Sequence, residues 1–145
     1  MGAFLRRIGC AAALCLFGCA GDGPVAFTTG GDFGRIQREI FDRRCTSGPC
    51  HSPQTRAGGL DLSGPAAFDE LVGVEPDNPA ARAAGDLRVA PFEPERSFLV
   101  RKLGGPRAGE GSRMPLGEAP LSEDEIALIV GWILDGAPRA DSGDS

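Results

Sequence analysis

Apolar residues recur at helical spacing near both ends of this chain, and no segment alternates as a half-buried strand does. Phe33, Ile36, Ile40 and Phe41 fall on one face of a helix predicted over 32–44, with Asp32 placed to cap it. Towards the other end, Ile126, Ile129, Val130, Ile133 and Leu134 form a stripe with Trp132 beside it. Ser122 and Glu125 match a capping box there, Asp124 adds charge of the favourable sign, and Gly136 and Pro138 stop the helix. Shorter helices are predicted over 65–71, opening on Pro65, and over 94–103, with Phe98, Leu99 and Leu103 as the apolar side. Segments 46–64 and 73–92, and the stretch leading to Met114-Pro115, are rich in Gly and Pro and read as loop. The pattern predicts an all-α fold of three to five short helices joined by long irregular connections.

The first residues follow another logic. Arg6 and Arg7 precede an almost unbroken apolar run over 8–17, too short to cross a bilayer, which takes roughly 20 residues. Residues 1–18 therefore read as a secretory signal. Leu16-Phe17-Gly18-Cys19 resembles a bacterial lipobox, with Phe17 larger than the residue usual at its position. That resemblance implies a lipid on Cys19; the small, polar, Gly-rich stretch after it reads as a flexible tether over 19–31, leading to a folded body over 32–138 and a polar tail over 139–145. It further implies an exported, lipid-anchored protein of the cell envelope facing the periplasm. Ala20 in place of an aspartate resembles outer-membrane sorting. An ordinary signal with an incidental cysteine is the other reading.

Charge and size narrow the function. The formal net charge of −5 becomes more negative once Arg6 and Arg7 are removed, which argues against nucleic acid as a partner, because phosphate contacts need clustered Lys and Arg. A body this small with few, short helices buries too little apolar surface unaided. A flat apolar cofactor would complete such a core.

Of the five cysteines, Cys10 and Cys15 lie in the signal and Cys19 is the lipid candidate, which leaves Cys45 and Cys50. His51, the single histidine of the chain, follows Cys50 directly. Cys45-Thr46-Ser47-Gly48-Pro49-Cys50-His51 is a lengthened form of the C-x-x-C-H haem attachment signature. Two thiols must reach two vinyl groups on one haem edge while the adjacent imidazole faces the iron. The two extra residues then have to bulge, and Gly48-Pro49 suits a bulge. A Cys45–Cys50 disulfide is the competing reading. A zinc site lacks a further Cys/His pair, and a thioredoxin-like pair lacks its βαβ setting.

Met114 is the only methionine besides Met1. It sits between Arg113 and Pro115 in a loop rather than on an apolar helical face, where a packing methionine is more usual. A thioether opposite histidine raises the potential of an electron-transfer haem, so Met114 is the candidate distal ligand. An exposed loop methionine is the alternative.

Taken together, the Cys45–His51 motif, the late Met114-Pro115 and the closing Trp132-Ile133-Leu134-Asp135-Gly136-Ala137-Pro138 resemble small class I-type cytochrome c domains. The likeness is greatest to bacterial envelope versions with the lengthened haem motif, and it spans Phe33 to Pro138. It implies one covalent haem c held by Cys45 and Cys50, with His51 and Met114 as iron ligands. The first and last helices should cross near the haem, with Gly34 allowing close approach and Phe41 and Trp132 packing at the crossing. Arg101, Lys102 and Arg113 are candidate partners for the haem propionates. The expected function is electron transfer with a redox partner protein, not catalysis, since no nucleophile-and-base pair can be argued. The alternatives are a haem protein with an open distal position, peroxidase-like or gas-binding, and a haem-free envelope lipoprotein with a disulfide.

Overall fold

The computed structural model describes residues 32–139, so Cys19, the signal, the tether and all of the tail after Arg139 lie outside the described residues. Within them the chain is helix-rich without a strand, an all-α fold; extended pairing is limited to the isolated bridges Val72–Val89 and Leu87–Ser97. None of the described helices is long and apolar enough to cross a membrane.

Helix α1 (Phe33–Ile36) starts under Asp32, whose carboxylate accepts the Gly34 N–H at 2.9 Å. The helix then widens into a π turn over Gln37–Phe41 and resumes as α2 (Asp42–Arg44). Gln37 is buried at that turn, and its Nε2 donates to Asp42 Oδ1 at 2.7 Å and to the Leu62 carbonyl at 2.8 Å. One side chain thus ties the first helix to the segment that follows His51.

Helix α3 (Ala66–Leu71) lies where the sequence places it. Helix α4 (Pro79–Ala83) falls within the 73–92 stretch expected to be loop. The Asn78 side chain accepts the Ala81 N–H at 3.0 Å, and Pro79 occupies the first turn. Proline there presets φ and lacks an N–H that would have no helical partner, so it starts a helix rather than breaking one. The helix expected over 94–103 is divided into a 3-10 turn (Pro94–Arg96) and α5 (Phe98–Gly104), with Ser97 extended between them. Ser97 is fully buried; its hydroxyl donates to the Glu93 carbonyl at 3.0 Å and accepts the Ala90 N–H at 2.9 Å, which holds the break open. Helix α6 (Glu123–Leu134) carries the complete Ser122/Glu125 capping box, worth about 1 kcal/mol. With the first helix counted as one through its π turn, the described residues hold five α-helices and two 3-10 turns, Ala57–Gly59 and Pro94–Arg96.

The core lies where α1 meets α6. Trp132 is fully buried, stands 5.1 Å from the Phe33 ring, and donates its Nε1–H to the Pro138 carbonyl at 2.8 Å. Phe68 of α3 closes edge-on against Phe33 at 5.3 Å. Ile36, Ile40, Ile129, Ile133 and Leu71 fill in around them. Each such side chain stabilises the fold by roughly 1.5–3 kcal/mol when fully buried. The atoms nearest to where a Cβ on Gly34 would stand belong to Arg38 and Asp32 rather than to α6. Phe41 and Trp132 are both buried in this core, each with its ring near Phe33, and Phe41 also lines the wall of a cavity.

Candidate functional site

Helix α2 ends at Arg44, and the chain leaves it through Cys45, whose N–H donates to the Phe41 carbonyl at 2.9 Å. The His51 N–H then closes back on the Cys45 carbonyl at 3.0 Å, and the Cys50 N–H reaches the Ser47 carbonyl at 3.3 Å. Ser47, Gly48 and Pro49 form the exposed outer edge of this loop, and Gly48 takes φ of +54°. The bulge occurs at the residues expected to form it. Beyond His51, the Leu62 N–H donates to the His51 carbonyl at 2.8 Å, and the Thr55 hydroxyl donates to the Cys50 carbonyl at 2.6 Å. Both ends of the motif are therefore held by main-chain contacts.

The motif opens on a cavity of about 510 Å³, inside the roughly 300–1,000 Å³ range of small-molecule and cofactor sites. Phe41, Leu60, Leu62, Leu71, Leu99 and Leu103 give it apolar walls. Cys45, Cys50 and His51 line one part, and Met114, Pro115 and Leu116 come to the same cavity from the loop between α5 and α6. All four cofactor-contact residues expected from the sequence thus meet in one hollow. Cys45 and Cys50 are free thiols.

Burial dominates the electrostatics. It pushes the Cys45 thiol up to about 12, against the opposing pull of Arg44. It also lowers the pKa of His51, and the charges of Lys102 and Arg88 lower it further. The Ala57 and Leu60 carbonyls oppose that shift by favouring a proton on the ring, although His51 Nδ1 is buried without a partner in hydrogen-bond geometry.

The expected propionate partners separate. Lys102 lines the cavity, whereas Arg101 does not. Arg101 is buried and engaged with the carboxylates of Asp86 and Glu110, with Nε to Glu110 Oε1 at 3.0 Å. Burial opposes its charge, but those two carboxylates outweigh it and hold its pKa above the ordinary value. Arg113 is exposed and outside the cavity lining.

Arg88, which the sequence reading passed over, stands in the wall instead. It donates to the carbonyls of Glu70 at 3.0 Å and Gly59 at 3.2 Å. Its signal was a lone cation within the apolar run Leu87-Arg88-Val89-Ala90, the pattern of a buried, partnered charge. Gly59 takes φ of +68° at that wall, which favours glycine; a Cβ there would lie 1.8 Å from Asp77 Oδ2, the end of an exposed side chain that can turn away.

Comparison with protein-family models, with characterised proteins and with solved structures found no match for this chain.

Proposed function

We propose that this protein is a single-haem electron carrier of the cytochrome c kind, exported and held to the bacterial envelope by a lipid on Cys19. One observation carries the reading: two free thiols, the only histidine and the only mature-chain methionine line the same apolar cavity. The residues fit the group. Cys45 and Cys50 offer thiols for thioether bonds, and His51 and Met114 offer the nitrogen and sulfur donors for the iron. Bound there, haem supplies one-electron iron chemistry, with a potential set by its axial donors and its burial.

The chain's own part is to hold, orient and exclude water. The carbonyls of Ala57 and Leu60 are the acceptors at hand for one ring N–H of His51, which leaves the other nitrogen for the metal. The leucine walls keep water from the cavity. Lys102 and Arg88 lie in the same wall, but the Lys102 ammonium is taken up by the Glu110 and Ser112 carbonyls and Arg88 stands 3.8 Å from Glu70 and 3.7 Å from Asp77, so neither is assigned to the haem carboxylates. The acidic chain suits a basic redox partner at the periplasmic face.

The test is a visible spectrum and an intact mass of protein made with a cytochrome c maturation system. The expected result is a low-spin haem spectrum with the mass of one covalently added haem. Colourless, iron-free protein with only two hydrogens lost would replace this reading with the disulfide lipoprotein.

A further inference from the structure

Several residues hold the loop between α5 and α6 to the body, and Lys102 of α5 holds the part that carries Met114. The Lys102 carbonyl accepts the Met114 N–H at 2.7 Å. The ammonium of the same residue donates to the Glu110 carbonyl at 3.0 Å and to the Ser112 carbonyl. Lys102 therefore grips the loop at three places, two of them within four residues of Met114. Other ties lie farther from Met114: the Glu110 carboxylate pairs with Arg101 at 3.0 Å and accepts the Arg107 N–H at 2.8 Å, the Asn78 amide donates to the Gly109 carbonyl at 3.1 Å, and Arg44 donates to the Ala119 carbonyl at 2.7 Å. Between Ser112 and Met114 the chain has only Arg113, which is exposed.

Geometry explains why a lysine does this. The ammonium has three N–H donors on a flexible stem and satisfies two carbonyls in different directions. Those carbonyls belong to a loop with glycines at φ of +85° (Gly109) and +79° (Gly111), a path with no helical ladder of its own to hold it. A charge-assisted bond to a carbonyl is stronger than a neutral one. Phe98 lies beside the stem, with its ring centroid 5.9 Å from Nζ, and limits where the ammonium can swing.

We infer that Lys102 is a positioning residue: by clamping Glu110, Ser112 and Met114 it aims the Met114 thioether into the cavity and keeps it there. The inference rests on Met114 being the distal ligand, but the clamp itself is testable without haem.

The experiment compares wild type, Lys102→Leu and Lys102→Arg, each as the full matured chain. Lys102→Leu removes the donors, and Lys102→Arg keeps a cation that can reach carbonyls. Three quantities are read: covalent haem mass, the methionine-to-iron band in the oxidised spectrum together with carbon monoxide uptake by the reduced protein, and hydrogen exchange of the Met114 amide. Lys102→Leu should carry its full haem mass, lose most of the methionine band and take up carbon monoxide at least roughly tenfold faster, the effect of losing even one of its two charge-assisted bonds. Its Met114 amide should exchange at least as much faster, and Lys102→Arg should restore both readouts in large part.

A Lys102→Leu protein with full haem, an unaltered methionine band and wild-type carbon monoxide uptake overturns the inference. Haem missing from wild type and variants alike overturns the electron-carrier reading instead. In that case the Met114 amide still decides the clamp: unchanged protection in Lys102→Leu overturns it, and lost protection supports it.

Discussion

The His51 amide donates to the Cys45 carbonyl at 3.0 Å, so the two ends of the lengthened motif meet although four residues separate its cysteines. This bond makes the longer spacing compatible with two thiols and an imidazole sharing one cavity wall. It takes up the extra length as an exposed turn rather than as a shift of His51.

That turn depends on Gly48 at φ of +54°. A side chain in this left-handed region costs about 1–2 kcal/mol, more for a β-branched residue. Gly48→Val is expected to destabilise the protein by at least about 1 kcal/mol in urea and to lower the fraction carrying covalent haem. No added Cβ would meet another atom within 4 Å, so the effect is one of backbone and not of crowding. A Gly48→Val protein with wild-type midpoint and haem content would show that the turn needs no glycine.

Met114 is half-buried and packs against the hydrophobic core at the cavity edge. Replacing it by alanine removes the sulfur donor while leaving the Cys45–His51 loop untouched. The matured Met114→Ala protein is expected to keep its haem mass, to change from low spin to high spin, and to fall in potential. Spectroelectrochemistry checks both changes. An unchanged spin state would remove Met114 as ligand.

Burial pushes the Cys45 thiol up to about 12. At pH 8 the thiolate fraction is then on the order of 10⁻⁴, and the thiolate is the form that reacts. In folded protein made without haem, Cys45 should resist alkylation by iodoacetamide at pH 8 and label readily once urea exposes it. In matured protein neither Cys45 nor Cys50 should label, folded or unfolded. Peptide mass mapping distinguishes these states, and rapid Cys45 labelling of the folded haem-free chain would contradict the burial argument.

Asp61 gives the acid limb of stability. Its carboxylate accepts from the Ser63 hydroxyl at 2.6 Å and from the Ser63 N–H at 2.8 Å, and with Arg56 nearby its pKa lies below the ordinary value of 3.8. The folded state therefore binds this proton less readily than the unfolded chain does. The stability this adds is complete above the ordinary carboxylate range and is lost as pH falls through the lowered folded value. Ser63→Ala removes the largest cause, so its acid-unfolding midpoint should move to higher pH with little change in the shape of the neutral region. An identical acid midpoint in both proteins would assign the acid limb elsewhere.

The sequence made some of this visible because the signal was local. Helix α6 announces itself by an apolar stripe and by a cap whose two partners lie three residues apart, and both follow from helical geometry alone. The Cys50-His51 adjacency is likewise local, so the thiols and the imidazole could be nominated together. Helix α4 was missed because Pro79 reads as a breaker until Asn78 is recognised as its cap. The division before α5 was missed because the cause is the burial of Ser97 against Ala90 and Glu93, a tertiary contact. Arg88 and the Lys102 clamp were out of reach for a related reason. Their partners are main-chain carbonyls, which carry no residue identity, on segments brought near only by the fold.

The same reasoning decides the fate of Arg101, which looked like a cofactor partner and is a structural cation. It is 9 % exposed, and the two carboxylates it pairs, Asp86 and Glu110, are 5 % and 4 % exposed. Removing only the cation leaves two buried negative charges facing each other beneath α5. Breaking a buried pair in this way costs about 3–5 kcal/mol, far more than the pair's net contribution compared with an apolar replacement. Arg101→Met is therefore expected to unfold at markedly lower urea, while the triple change Arg101→Met, Asp86→Leu, Glu110→Gln should recover a large part of the loss. Because Arg101 also donates to the Glu95 carbonyl at 3.1 Å, a bond that methionine cannot make, the recovery stays incomplete. If Arg101→Met alone matched wild-type stability while weakening haem binding, the arginine would belong to the cofactor after all, and the buried triad would lose its structural role.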